Sequence, residues 1–186
     1  MTARRTLLLI VLAACGVTLS ACGYEANVKT ASSEAIYVDL NQLKYQVQFS
    51  RQLNPYDTED AAYLQGLAPA TAALTPAQTW FGVFMLVLNE HGQPYEAARG
   101  YYITDTAGGV YRPTPVTGAN PFAYHSVMVA PYTQLPLVGS VASLGPTSGA
   151  ALLFKVPLAS FDNRPLVLHI VDPTNPHTEA TVVLDL

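Results

Sequence analysis

Leu43-Lys-Tyr-Gln-Val-Gln-Phe-Ser-Arg51 places Leu43, Tyr45, Val47 and Phe49 on one side of an extended chain, and Lys44, Gln46, Gln48 and Ser50 on the other. Side chains alternate with period two in a strand, so this stretch predicts a half-buried antiparallel strand. Ile36 to Leu40 predicts a shorter strand just before it. Trp80 to Leu88 (WFGVFMLVL) is apolar on both alternations and rich in aromatic and β-branched residues, which predicts a central strand covered on both faces. Arg99–Thr104, an Asp105–Gly109 turn and Val110–Thr114 form a hairpin, whose Pro113 and Pro115 suit a sheet edge. Ala150–Val156, Leu166–Val171 and Thr181–Leu186 complete the clear strands, with brief ones at Val127–Ala130 and Leu137–Val141. The expected fold is an all-β antiparallel β-sandwich of about 7–9 strands.

Leu53 to Gln78 interrupts the strand pattern. Asn54-Pro55 opens a turn, and Asp57 or Thr58 can cap one short helix through Ala61, Ala62, Tyr63 and Leu64, ended by Gly66. Pro69 and Pro76 bracket an Ala/Thr-rich loop beyond it.

Ahead of the first strand the chain has an export-signal layout. Arg4 and Arg5 are followed by an uncharged run, Thr6 to Leu19, too short to span a bilayer at the roughly 17–25 residues a helix needs. That run ends in Leu19-Ser20-Ala21-Cys22, which resembles the lipobox of bacterial lipoproteins. The resemblance implies a diacylglycerol on the Cys22 sulfur and cleavage between Ala21 and Cys22. Residues 1–21 then form the signal peptide, residues 22–34 a lipidated flexible tether, and residues 35–186 the folded domain. The tether, GYEANVKTASSE, is polar and aperiodic. After cleavage 165 of the 186 residues remain, with 7 basic against 13 acidic side chains, a net charge of −6. Such a chain is a poor match for phosphate backbones, so no nucleic-acid partner is expected. Attachment to the membrane would come from the diacylglycerol, since two acyl chains hold firmly where one is marginal. Cys15 leaves with the signal and Cys22 is consumed by lipid, so no disulfide pair remains.

The order of a long apolar strand (Trp80–Leu88), the hairpin YYITDTAGGVYRP (Tyr101–Pro113), a Gly-Pro loop at Leu144–Gly149 and a strand ending Phe154-Lys-Val-Pro157 resembles the DUF4352-type immunoglobulin-like domain of secreted bacterial lipoproteins. The resemblance covers roughly Leu43 to Val171. It implies an immunoglobulin-like sandwich outside the cytoplasm and carries over no catalytic residue. Leu53–Leu67 is longer than the pattern expects.

Catalytic signatures are lacking. Gly145-Pro-Thr-Ser148-Gly149 has its serine one place late for a nucleophile elbow, and HExxH, CxxC and phosphate-cradling Gly loops do not occur. No enzyme activity and no cofactor are expected. Asp57, Glu59 and Asp60 are the densest charge and the candidates for a Ca²⁺ site; the competing reading is solvated carboxylates at a helix N-terminus. His125 and Met128 could meet copper, whereas His169 in its strand suits a hydrogen-bonded imidazole. Eleven tyrosines are the compositional oddity, and Tyr56, Tyr63, Tyr95, Tyr124 and Tyr132 fall in expected loops as candidate contact residues. The expectation is a lipid-anchored, extracytoplasmic sandwich that acts as a non-catalytic protein-interaction or structural module of the cell envelope; the alternative is a Ca²⁺- or glycan-binding module that uses the Asp57–Asp60 turn with Tyr56 and Tyr63.

Overall fold

The structure, a computed structural model, describes residues 27–116 and 119–184. Cys22, Ala21 and the rest of the expected signal and anchor lie outside the described residues. Two sheets face each other across one core. The first has the order β1(Thr30–Ala31), β12(Glu179–Leu184), β11(Leu166–Val171), β6(Gly100–Thr104), β7(Val110–Tyr111). The second has the order β10(Ala150–Pro157), β4(Gln78–Leu88), β3(Leu43–Leu53), β2(Val38–Leu40), with β9(Gln134–Leu135) extending the line of β10 along the end of β4. A small pair, β5(Tyr95–Glu96) with β8(Met128–Val129), stands apart. The chain is a β-sandwich, as its alternation predicts.

The core between the sheets is built from alternate residues. Tyr45 and Val47 of β3, Phe81, Val83, Met85 and Val87 of β4, and Ile103, Leu168, Ile170 and Val182 of the first sheet are all fully buried. β2 and β3 are joined by Asn41-Gln42 alone, both at positive φ (48° and 62°), the two-residue turn whose twist matches the flanking strands.

β3 departs from simple alternation. Val47 lies opposite Met85 but Phe49 lies opposite Phe84, so Gln48 is an extra residue in a β-bulge. Beyond it the faces exchange: Phe49, expected in the core, is 44% exposed, and Ser50 is buried in its place. The Glu34 carboxylate satisfies the Ser50 amide and hydroxyl. Arg51 and Leu53 are thereby turned to the outer face of the second sheet.

Three further expectations are corrected. Residues 28–34 are part of the fold and not tether. Thr30–Ala31 pairs in parallel with β12, Ala31 is buried, and Val28 exchanges hydrogen bonds with Asp39. Leu137–Val141 is not a strand: Ser140 caps a one-turn helix, Val141–Leu144, and the strand there is Gln134–Leu135. The stretch from Pro69, expected as an Ala/Thr-rich loop, begins with a second helix. The interrupted segment thus carries α1(Thr58–Tyr63), capped by Asp57 as expected, and α2(Pro69–Ala72), and it covers the outer face of β4. Counting Val141–Leu144 as α3, the described residues hold three short α-helices and a 3-10 helix, Leu158–Asp162, where one helix was expected.

That cover explains why β4 is apolar on both alternations. Its second face, Trp80 and Phe84, forms a separate core with Leu53, Tyr63, Ala151 and Leu153. Tyr63 packs edge-on against Phe84 (4.8 Å) and Phe122 (5.0 Å). Buried Asn120 pins the segment, its amide donating to the Tyr63 and Gln65 carbonyls at 2.7 and 2.9 Å.

Candidate functional site

Asp57, Glu59 and Asp60 do not form a cation site. Asp57 Oδ1 accepts from the amides of Glu59 (2.9 Å) and Asp60 (3.1 Å), closing the start of α1. Asp60 is buried and ion-paired with Arg51, and its Oδ2 also accepts from the Asn54 amide at 2.7 Å. Burial pushes the Asp60 carboxyl up, but the Arg51 guanidinium and the Asn54 amide outweigh it and hold it below the ordinary carboxylate range. Glu59 accepts from the Tyr63 hydroxyl at 3.0 Å and lies 3.4 Å from Arg51. The three carboxylates thus hold the cover on β4. Among the described residues no three His, Cys, Asp or Glu side chains converge on a metal-sized point, His125 and the other histidines included.

The five candidate tyrosines do not converge either. Tyr63 is buried, a correction to its expected contact role, and it is the floor of the cover. Tyr124 is largely enclosed. Its hydroxyl donates to the Ala98 carbonyl (2.9 Å) and accepts from Tyr101 (2.7 Å), while Tyr45 accepts from the Ala98 amide at 2.9 Å. Burial drives all three phenols well above their ordinary pKa, so they act as fixed neutral bonding groups. Tyr95 is half-buried in β5, edge-on to His91 at 5.7 Å. Only Tyr56 (96% exposed) and Tyr132 (75%) stand free, at opposite ends of the sandwich.

Two surface features were not anticipated. The first is an open groove of about 410 Å³ between the β6–β7 edge and β10. Tyr101, Tyr124 and Leu152 line it, and Arg99 and Arg112 flank it. Its walls are fixed where Pro113 bridges to Phe154, Thr114 donates to the Leu153 carbonyl at 2.7 Å, and Tyr124 donates to the Ala151 carbonyl at 2.9 Å. Arg99 pairs with Glu96, but Arg112 is exposed, and its one ring contact is with Tyr102, 5.8 Å from the centroid. Among the described residues Arg112 has no carboxylate partner.

The second is a polar cluster on the outer face of the first sheet. The His169 ring stacks flat on Tyr102 (4.2 Å, 8°). Its Nδ1 lies 3.1 Å from Glu179 Oε2 and its Nε2 lies 3.0 Å from Thr104 Oγ1, while the Tyr102 hydroxyl donates to Glu179 at 2.8 Å. A hydroxyl, an imidazole and a carboxylate in line have the distances of a nucleophilic triad. Here they span three adjacent strands of a flat face, where backbone amides are engaged in the ladders and cannot serve an oxyanion. Their chemistry is that of cross-strand pairing. Sequence could place Tyr102, Thr104 and His169 on outward positions, but only the register, His169 opposite Tyr102, brings them together.

No protein-family model matches the chain, and no curated protein matches it. Among solved structures it is similar to the yjhA protein from Bacillus subtilis, with a TM-score of 0.51 and 9% identity over 83% of this chain and 99% of that one. It is also similar to an uncharacterized beta-sandwich protein from Clostridium difficile 630, with a TM-score of 0.42 and 11% identity over 86% of this chain and 97% of that one. At such identity the first likeness concerns the fold alone.

Proposed function

We propose that this chain is a lipid-anchored, extracytoplasmic lipoprotein whose β-sandwich works by binding a protein of the cell envelope and not by catalysis. Leu19-Ser20-Ala21-Cys22 after an uncharged run supports the anchor: a diacylglycerol on Cys22 would hold the domain at a membrane surface. The observation that carries the binding role is the arginine-flanked groove. A rigid apolar floor beside an exposed guanidinium without an acidic partner suits a segment bearing both an apolar side chain and a carboxylate. On a chain with more acidic than basic residues, that guanidinium marks where an acidic partner would be oriented.

The test is crosslinking in intact cells with the full chain as bait, wild type against Arg112→Glu. Arg112 is exposed, so the variant keeps its melting temperature while the crosslinked neighbour falls at least several-fold. An unchanged crosslinking pattern removes the groove from the proposal. A mass for the mature protein without lipid on Cys22 removes the anchor.

A further inference from the structure

The end of the sandwich where the chain enters the fold also exposes a cluster of apolar side chains, Tyr132, Leu137 and Val138. β1 runs parallel to β12 with Thr30 opposite Thr181, so Val28 is level with Glu179 and Asn27 lies just beyond the start of β12. Asn27 shares a cleft with His91. Tyr132 donates its amide to the His91 carbonyl (3.3 Å), and its phenol lies against Gly92. Tyr132, Leu137 and Val138 form one open surface with Leu88. Leu137 is 62% exposed and Val138 81%, just after β9, which pairs with the end of β4, while buried Asn89 holds the chain ahead of Tyr132 by donating to the Val129 and Ala130 carbonyls at 2.9 and 3.1 Å.

Isolated exposed apolar residues are ordinary, but three on one rigid tip mark a contact surface. Resting on the anchor proposed above, we infer that Tyr132, Leu137 and Val138 form a second membrane contact that dips into the lipid interface. Cys22 is five residues from Asn27, a reach of at most about 18 Å. An anchor this short brings the entry end of the sandwich to the bilayer, and the tip with it. A tyrosine ring suits the headgroup level, with leucine and valine just below it. Charge would not drive the contact: Lys29 donates to the Asp39 carbonyl, and Lys44 pairs with Asp39 and Glu90. Neutral lipid is therefore a sufficient partner.

The mature chain has Cys22 as its sole cysteine, so Val138→Cys supplies a unique thiol for a solvatochromic dye once Cys22 is acylated. Tyr56→Cys, at the opposite end, is the control. In the full lipidated protein in phosphatidylcholine vesicles, the dye at 138 should emit further to the blue. A nitroxide-bearing lipid should quench it several-fold more than the dye at 56. Equal quenching at the two sites, with acylation of Cys22 verified by mass, overturns this inference and leaves the anchor standing. A free Cys22 thiol overturns both. A dye at 138 shielded from an aqueous quencher but untouched by the lipid-borne one would assign the tip to a second copy of the chain, and also overturns it.

Discussion

The two outer faces of the sandwich were solved in opposite ways. On the first sheet the outward residues include Tyr102, Thr104, His169 and Glu179, which bond to one another, with Val167, Val171, Thr181 and Val183 half-buried beside them and no segment laid over them. On the second they include Trp80, Phe84, Leu53 and Leu153, which are buried beneath the 54–78 segment and Phe122. Ordering a long segment costs about 1–2 kcal/mol per residue in backbone entropy, so it persists only where contacts repay it. Full burial of each large apolar side chain contributes about 1.5–3 kcal/mol. The helix cap, the Arg51–Asp60 pair and the Asn120 staple supply further holds. The composition of alternate residues in a strand thus decides whether a sheet face meets water or requires a cover.

Among substitutions, the largest effect should come from Phe84→Ala, which empties the position Tyr63 packs against. A loss of about 3–5 kcal/mol is expected in urea melts, as for buried aromatic truncations generally. Next is Arg51→Ala, which strands the buried Asp60 carboxylate and should cost about 3 kcal/mol. The pH dependence follows from the depressed Asp60 carboxyl. Its stabilisation is present in full above the ordinary carboxylate range, declines as pH falls below it, and is gone once pH passes the lower folded value. Asp105, held low chiefly by the Tyr111 hydroxyl, adds a dependence of the same sign outside the cover. Acid melts of Asp60→Asn should therefore be flatter than those of wild type but not flat. Smaller still is His169→Ala on the open face, under about 1 kcal/mol, because water replaces the lost cross-strand partners. A loss there comparable to that of Phe84→Ala would mean the two faces are not the different structures described.

Much of this contrast is legible in the chain. The unbroken apolarity of Trp80 to Leu88 announces a strand covered twice, and Asp57 announces the helix start. That residues 54–78 supply the cover is not legible, because which segment meets which face depends on contacts distant in sequence. Tyr63 and Tyr124 fall in expected loops, yet the first is buried and the second half-buried, since a loop that closes over a sheet covers what it carries. The His169 cluster depends on strand register, which periodicity leaves open. The bulge at Gln48 left no mark at all, because LKYQVQFSR alternates as cleanly as a regular strand.

That bulge sharpens the comparison most while predicting the least change. With Gln48 in the chain, Arg51 and Leu53 reach the cover because Gln48 is bulged out of the ladder and opposes no residue of its own on β4. Deleting Gln48 places Phe49 next to Val47 in a regular ladder, still opposite Phe84 and Met85, and leaves every later side chain on its present face. Stability should move by less than about 1 kcal/mol. Deleting Ser50 instead, two residues on, keeps the bulge, turns Arg51 inward toward Val83 where only a serine fitted, leaves Asp60 without its guanidinium and takes Leu53 off the outer core. Urea melts of the two single deletions should therefore diverge sharply, the second losing the cooperative transition. If both deletions unfold the protein equally, the strand's faces are set by something other than the one-residue register shift.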